Sequence, residues 1–201
     1  MIAIIDYGMG NLASVKNGFA KVGYEAYITD KPEEIVKAEK VVLPGVGAFS
    51  DAIRNLKKSG LDEVIKEVIK KGTPFLGICL GMQLILGESY EDGCHQGLNI
   101  VKGRVIRFDL PENYKVPHMG WNSVKIAGES RLFKRIPDNS YFYFVHSYYV
   151  VPEDRSWAIG ETHYGINFVS ALEKENVFAT QFHPEKSGEI GLKILRNFGE
   201  M

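Results

Sequence analysis

Over the first 88 positions, short β-branched and aliphatic runs alternate with longer segments whose apolar residues recur every three or four positions. This is the pattern of strands joined by crossover helices in a parallel sheet. Residues 2–5 predict a first strand. Leu12, Val15, Phe19 and Val22 fall at helical spacing ahead of Gly23 and predict a helix over residues 11–22. Further strands are predicted at 25–28, 40–43 and 75–78. Pro32 stands where a helix can begin, 50–56 and 61–69 predict one or two helices ended by Gly72, and 80–86 predict a helical segment after the fourth strand.

Beyond Glu91 the pattern changes. Residues 98–108, 121–126, 141–151, 157–164, 167–173 and 177–182 are strand-like, and only 190–198, with Ile190, Ile194 and Phe198, reads as an amphipathic helix. The expectation is one α/β domain over 1–201, with a mostly parallel central sheet flanked by helices and additional antiparallel strands in the C-terminal half.

Composition narrows the function. With 45 % hydrophobic and 24 % charged residues, 201 positions suffice for a compact core. Twenty-four Lys and Arg against 25 Asp and Glu leave a net charge of -1, without the positive excess that phosphate backbones attract, so no nucleic-acid partner is expected. The opening apolar stretch stops at Asp6, short of a signal core or a membrane span, which predicts a cytoplasmic protein with no membrane partner. Cys79 and Cys94 are too few for a disulfide framework. Neither Cys94-His95 nor His163 has a ligand-spaced companion, so no metal is expected.

The strongest chemical signal is Gly77-Ile78-Cys79-Leu80-Gly81, a possible nucleophile flanked by glycines between a strand and a helix. It has the form of a nucleophile elbow with a thiol in place of the hydroxyl. The glycines admit a tight turn, and a helix N-terminus favours thiolate. A free cysteine can also be a small core hydrophobe, and the elbow alone does not separate the two readings. At the far end of the chain the strand-like run 177–182 leads into His183-Pro184-Glu185. At i and i+2 the His and Glu can point to one side, where the imidazole would take the thiol proton and the carboxylate would orient it. Pro44-Gly45-Val46-Gly47 follows the third strand on the same sheet edge, and its N–H groups, with that of Leu80, can surround an oxyanion.

Two competing readings exist. Gly8-Met9-Gly10-Asn11-Leu12-Ala13 matches G-x-G-x-x-A after a strand, with Asp30 placed for a ribose, so an NAD(P)-binding oxidoreductase is the alternative. It leaves the cysteine elbow, the Pro-Gly-Val-Gly turn and His-Pro-Glu without a role. A non-catalytic interaction module would use Trp121 and the aromatic run 141–144, but aromatics at strand spacing equally fill a core.

Phe75-Leu76-Gly77-Ile78-Cys79-Leu80-Gly81-Met82-Gln83 together with His183-Pro184-Glu185 resembles the class I (triad) glutamine amidotransferases. Residues 6–12 (Asp-Tyr-Gly-Met-Gly-Asn-Leu), Pro44-Gly45-Val46-Gly47 and Pro117-His118-Met119-Gly120-Trp121-Asn122 further resemble the glutaminase subunits of imidazole glycerol phosphate synthases. The resemblance covers essentially the whole chain. It implies hydrolysis of L-glutamine by a Cys79, His183, Glu185 triad. The ammonia would pass to a separate (β/α)8-barrel synthase subunit in a heterodimer that makes imidazole glycerol phosphate and AICAR in histidine biosynthesis. It also implies no metal or organic cofactor. By position in the motifs, Val46, Gly47 and Leu80 would form the oxyanion hole, and Gln83, Glu91, His146, Ser147 and Tyr148 would hold the glutamine. Asn11, His118, Met119, Trp121, Asn122 and Lys186 would face the synthase. The same resemblance turns residues 8–13 from a dinucleotide loop into part of the partner-facing surface.

Overall fold

The computed structural model describes all residues, 1–201. In β1 (Ile2–Ile5) every residue is buried, and alternate side chains feed two cores: Ala3 and Ile5 on one face, Ile2 and Ile4 on the other. After α1 (Leu12–Lys21) comes β2 (Ala26–Thr29), an edge strand that leaves Ile28 exposed, and after α2 (Pro32–Val36) the two-sided division recurs along β3 (Lys40–Gly45), with Val41 and Leu43 on one face and Val42 on the other. Helices α3 (Phe49–Ser59) and α4 (Leu61–Lys70) lead to β4 (Phe75–Cys79) and the short α5 (Leu80–Leu84). Gly60, at φ +71°, separates α3 from α4 and gives its N–H to the Leu56 and Lys57 carbonyls, which settles the predicted one or two helices as two.

The second half supplies β5 (Leu86–Ser89), β6 (His95–Gln96), β7 (Val101–Arg107), β8 (His118–Ile126), β9 (Ser140–His146) and β10 (Tyr148–Pro152). It ends with β11 (Ala158–Tyr164), β12 (Ile166–Lys174), β13 (Val177–Thr180) and α6 (Gly188–Gly199). The sheet runs β2-β1-β3-β4-β13-β12-β10-β7-β5-β6. Pairing is parallel from β2 to β13, then antiparallel through β12, β10 and β7, and β11, β8 and β9 form an antiparallel branch off β12.

One face of the parallel part is covered by α2 to α5, with Ile35, Phe49, Leu56, Ile65 and Val68 buried. Helices α1 and α6 cover the other face, where Phe19, Phe178 and Phe198 meet with ring centroids 6.0–6.2 Å apart. Each such side chain contributes about 1.5–3 kcal/mol on leaving water. No helix is long and apolar enough to cross a membrane.

Several boundaries differ from expectation. The helix predicted over 80–86 ends at Leu84, because the carbonyls of Leu84, Ile85 and Leu86 accept from the N–H groups of Leu98, Ile100 and Asn99. The chain thus leaves the helix for a strand. The run 141–151 is two strands, since Phe108 N–H donates to the Ser147 carbonyl at the break between β9 and β10. The two-residue β6 had no signal of its own, and β13 stops at Thr180, two residues before its apolar run ends.

Candidate active site

In register, Gly45 of β3 pairs with Cys79 of β4, and Ile78 pairs with Thr180 of β13. The Pro-Gly-Val-Gly turn, the cysteine elbow and His-Pro-Glu therefore leave the carboxyl ends of three adjacent parallel strands, where α/β sheets place their ligands. Cys79 is buried and has φ +55°, ψ -108°, a strained conformation for a residue with a side chain, of about 1–3 kcal/mol. Its flanking glycines are required by proximity. A Cβ on Gly81 would lie 1.9 Å from the Leu43 carbonyl oxygen, and one on Gly77 would lie 2.8 Å from the Gly81 carbonyl oxygen. Leu80 is the first residue of α5, so its N–H is among those a helix leaves unpaired.

His183 and Glu185 are placed by a 3₁₀ turn, Pro184–Lys186, rather than by the strand alternation expected of them. The turn is tied down because His183 N–H donates to the Tyr143 carbonyl and the Ser187 hydroxyl donates to the His183 carbonyl. His183 Nδ1 lies 2.8 Å from Glu185 Oε1, and both side chains are 2 % exposed. Buried Nε2 of His183 has no hydrogen-bond partner, which leaves it free for the thiol or a substrate. Burial alone would depress the imidazolium, but the Cys79 sulfur and the Glu185 carboxylate outweigh it and raise the His183 pKa to about 10. An imidazolium beside the sulfur is the resting condition this favours.

A cavity of about 250 Å³ opens beside Cys79. It is lined by nine residues expected there, Val46, Gly47, Cys79, Leu80, Gln83, Glu91, His146, Ser147 and Tyr148, and by Val145, which the sequence did not single out. Glu91 Oε2 accepts from Phe49 N–H at 2.8 Å, and burial raises its pKa against that stabilising contact. Both nitrogens of the His146 ring are occupied: Nδ1 lies 2.8 Å from the Tyr148 carbonyl and Nε2 lies 2.9 Å from His118 Nδ1. His146 therefore shapes the cavity wall without a free donor or acceptor for a ligand.

Of the positions expected to face a partner, Asn11 and Lys186 are exposed, as are Met119 and Trp121 at 63 % and 56 %. Trp121 is thus no core aromatic. Asn122 is half-buried, and His118 departs from the expectation. Its side chain is 3 % exposed and stacks between Phe144 and Tyr164, because it takes the inward side of a strand whose outward side is Met119 and Trp121.

Burial pushes the pKa of His118 down to about 4 and that of His146 down to about 3, the latter helped by nearby His118 and His183. Unfolded histidines take up protons near pH 6.5, before these two do in the folded protein, so stability is full above that pH and is lost as pH falls toward 4. His183 works oppositely, its contribution fading as pH rises from 6.5 toward 10. Urea unfolding between pH 6.5 and 5 is expected to lose up to about 1.4 kcal/mol per pH unit for each neutral histidine. His118→Gln should flatten that slope in part, and an unchanged slope would exclude His118 as a source of it.

The dinucleotide alternative is not sustained. Asn11 Oδ1 caps α1 by accepting from Ser14 N–H, and Gly10 has φ +110°, a backbone conformation that itself calls for glycine. Comparison with known proteins agrees. A model of the family described as Glutamine amidotransferase class-I matches residues 3–200. The chain is similar to the imidazole glycerol phosphate synthase subunit HisH of Geobacter sulfurreducens, at 54 % identity over all of this chain and 98 % of that one. It is also similar to HisH of Caldanaerobacter subterraneus subsp. tengcongensis, at 55 % identity over 100 % and 98 % of the two chains. Among solved structures the fold is similar to that of PurLQS from Thermotoga maritima, with a TM-score of 0.75 at 17 % identity, covering 99 % of this chain and 97 % of that one. With the cysteine elbow and the buried His–Glu pair at adjacent strand ends, these matches establish that the chain belongs to the class-I glutamine amidotransferases and, within them, to the HisH subunits of imidazole glycerol phosphate synthase.

Proposed function

We infer that the chain, acting as one domain over 1–201, hydrolyses the side-chain amide of L-glutamine and passes the ammonia to a (β/α)8-barrel synthase subunit in a heterodimer. The observation that carries this is the buried His183–Glu185 pair, with an unpartnered Nε2, next to a strained cysteine in an amino-acid-sized cavity. Cys79 attacks the amide carbon as thiolate, and the Leu80 and Val46 N–H groups, with Gly47, receive the oxyanion. The His183 imidazolium gives its proton to the departing nitrogen, which leaves as ammonia. Water, deprotonated by the now neutral His183, then cleaves the thioester to glutamate and free thiol. Glu91 offers a carboxylate to the ammonium end of the substrate, while Gln83, Ser147 and Tyr148 line its other end. Every step is acid–base or nucleophilic chemistry of side chains already present, so the proposal needs no cofactor.

The exposed Met119 and Trp121, with Asn11 and Lys186, are the residues offered to the synthase, while Asn122, half-buried on the His118 side of β8, hydrogen-bonds His118 instead. Ammonia made without an acceptor is wasted, so turnover should depend on the partner. The Gly45–Gly47 segment is the element to switch: Gly47 has φ +99°, and a Cβ on Gly45 would lie 2.4 Å from the Tyr7 hydroxyl and 2.9 Å from Leu80 Cβ. Rotating one peptide there would add or remove one oxyanion donor, worth about 100- to 1,000-fold in rate. Glutaminase turnover at saturating glutamine is therefore expected to be slow for the chain alone and to rise by that order when the barrel subunit and its nucleotide ligand are added. Trp121→Ala should fold normally and lose most of the stimulation. Full activity of the chain alone would refute the switch, and an unchanged ratio in Trp121→Ala would remove that residue from it.

A further inference from the structure

The Tyr148 carbonyl is the meeting point of two hydrogen-bond chains. It lies 2.8 Å from His146 Nδ1 and 3.1 Å from Gln83 Nε2. A carbonyl only accepts, so it dictates the polarity of both chains without any appeal to how amides or rings were oriented. Along the first, His146 carries its hydrogen on Nδ1, its Nε2 accepts from His118 Nδ1 at 2.9 Å, and His118 Nε2 accepts from Asn122 Nδ2 at 3.2 Å. The low pKa values of both rings keep each at one hydrogen, as this order requires.

Along the second chain, Gln83 gives one amide hydrogen to Tyr148 and the other to Gln181 Oε1 at 3.1 Å. With its oxygen so engaged, Gln181 turns its amide nitrogen toward Cys79 Sγ, 3.7 Å away. Gln181 is fully buried on the stretch between β13 and His183, and neither composition nor motif marked it. The reverse orientation would set its oxygen against the sulfur, where it could accept from a thiol but would repel a thiolate.

We propose that Gln181 is a positioning residue for Cys79, donating a hydrogen bond to Sγ that favours and aims the thiolate, with its donor side locked toward the sulfur by the Tyr148 carbonyl through Gln83. The proposal rests on the reading of Cys79 as nucleophile. Besides Gln181, the sulfur is faced by His183 from the turn after β13 and lies 3.9 Å from the Val145 carbonyl of β9, while Tyr7, which feels the sulfur's charge, gives its hydroxyl hydrogen to the Pro44 carbonyl. His183 supplies the charge, and Gln181 supplies a neutral donor from the opposite amide.

The test uses the full chain carrying Cys94→Ser, so that only Cys79 reports. Iodoacetamide alkylation rates across pH give the apparent thiol pKa, and steady-state kinetics with the synthase subunit give kcat and KM. Gln181→Met, close in volume and without a donor, is expected to raise the apparent pKa by about one unit and to lower kcat about tenfold with KM within twofold. Gln181→Glu, which sets a carboxylate against the sulfur, should raise it further. A folded Gln181→Met with the wild-type alkylation profile would overturn the proposal, even if its melting temperature fell, because a purely structural role does not move a thiol titration. The two readings fail separately. Absence of a Cys79 adduct with the glutamine mimic 6-diazo-5-oxonorleucine in the unsubstituted chain would remove the nucleophile assignment, while the alkylation profile still decides what Gln181 does to the sulfur.

Discussion

Cys79→Ala is expected to abolish glutamine hydrolysis, a loss on the order of 10⁶-fold, because no other group near the cavity can form the thioester. The other cysteine, Cys94, is exposed and outside the cavity, so Cys94→Ala should leave turnover unchanged. His183→Ala should lose about 100- to 10,000-fold, the usual span for removing a general acid–base. Glu185→Gln should lose less, since an amide oxygen can still accept from Nδ1 and only the charge that supports the imidazolium is gone. Ammonia release measured with the synthase subunit present, on variants whose circular dichroism is native, checks the order. A folded Glu185→Gln weaker than His183→Ala would show that the two roles are wrongly assigned.

Gly81→Ala is the substitution expected to damage the fold most for one added carbon. Its Cβ would lie 1.9 Å from a backbone oxygen of β3, with no flexible side chain to move aside, so α5 must separate from the strand. That costs upward of about 3 kcal/mol, with activity lost alongside because the Leu80 N–H and Cys79 move with the helix. Gly72→Ala is the control. It has φ +82° and open space around it, and should cost only the roughly 1–2 kcal/mol of a left-handed residue with a side chain. Urea unfolding of the two variants makes the comparison, and equal midpoints would mean that the close approach does not hold the elbow.

Cys79, His183 and Glu185 could be picked out as a group before the fold because their surroundings are local. Glycines two residues either side of Cys79 announce a tight turn, and His183 and Glu185 stand only two residues apart. The parallel half was equally legible, since strands buried on both faces alternate with amphipathic helices. Reading failed where long-range pairing decides the outcome. The end of α5 depends on carbonyls claimed by residues 98–100, and the break at Ser147 depends on Phe108. His118 was assigned to the interface by its place in the Pro-His-Met-Gly-Trp-Asn motif, yet strand alternation turns it inward. Gln181 lacked any sequence signal, as its relevance comes from an amide nitrogen 3.7 Å from a sulfur 102 positions away.

The place of β13 has a consequence for how the protein is made. This strand, residues 177–180, is inserted between β4 and β12 in the middle of the sheet, although it is the last strand to leave the ribosome. Until it arrives, β4 has one edge uncovered and Cys79 has neither His183 nor Glu185 beside it. Domains grow from the N-terminus at about 5–20 residues per second, and pairings distant in sequence form late. The nascent chain therefore carries its thiol through most of synthesis without the histidine proposed to activate it, and closing the sheet and bringing His183 to Cys79 become one event.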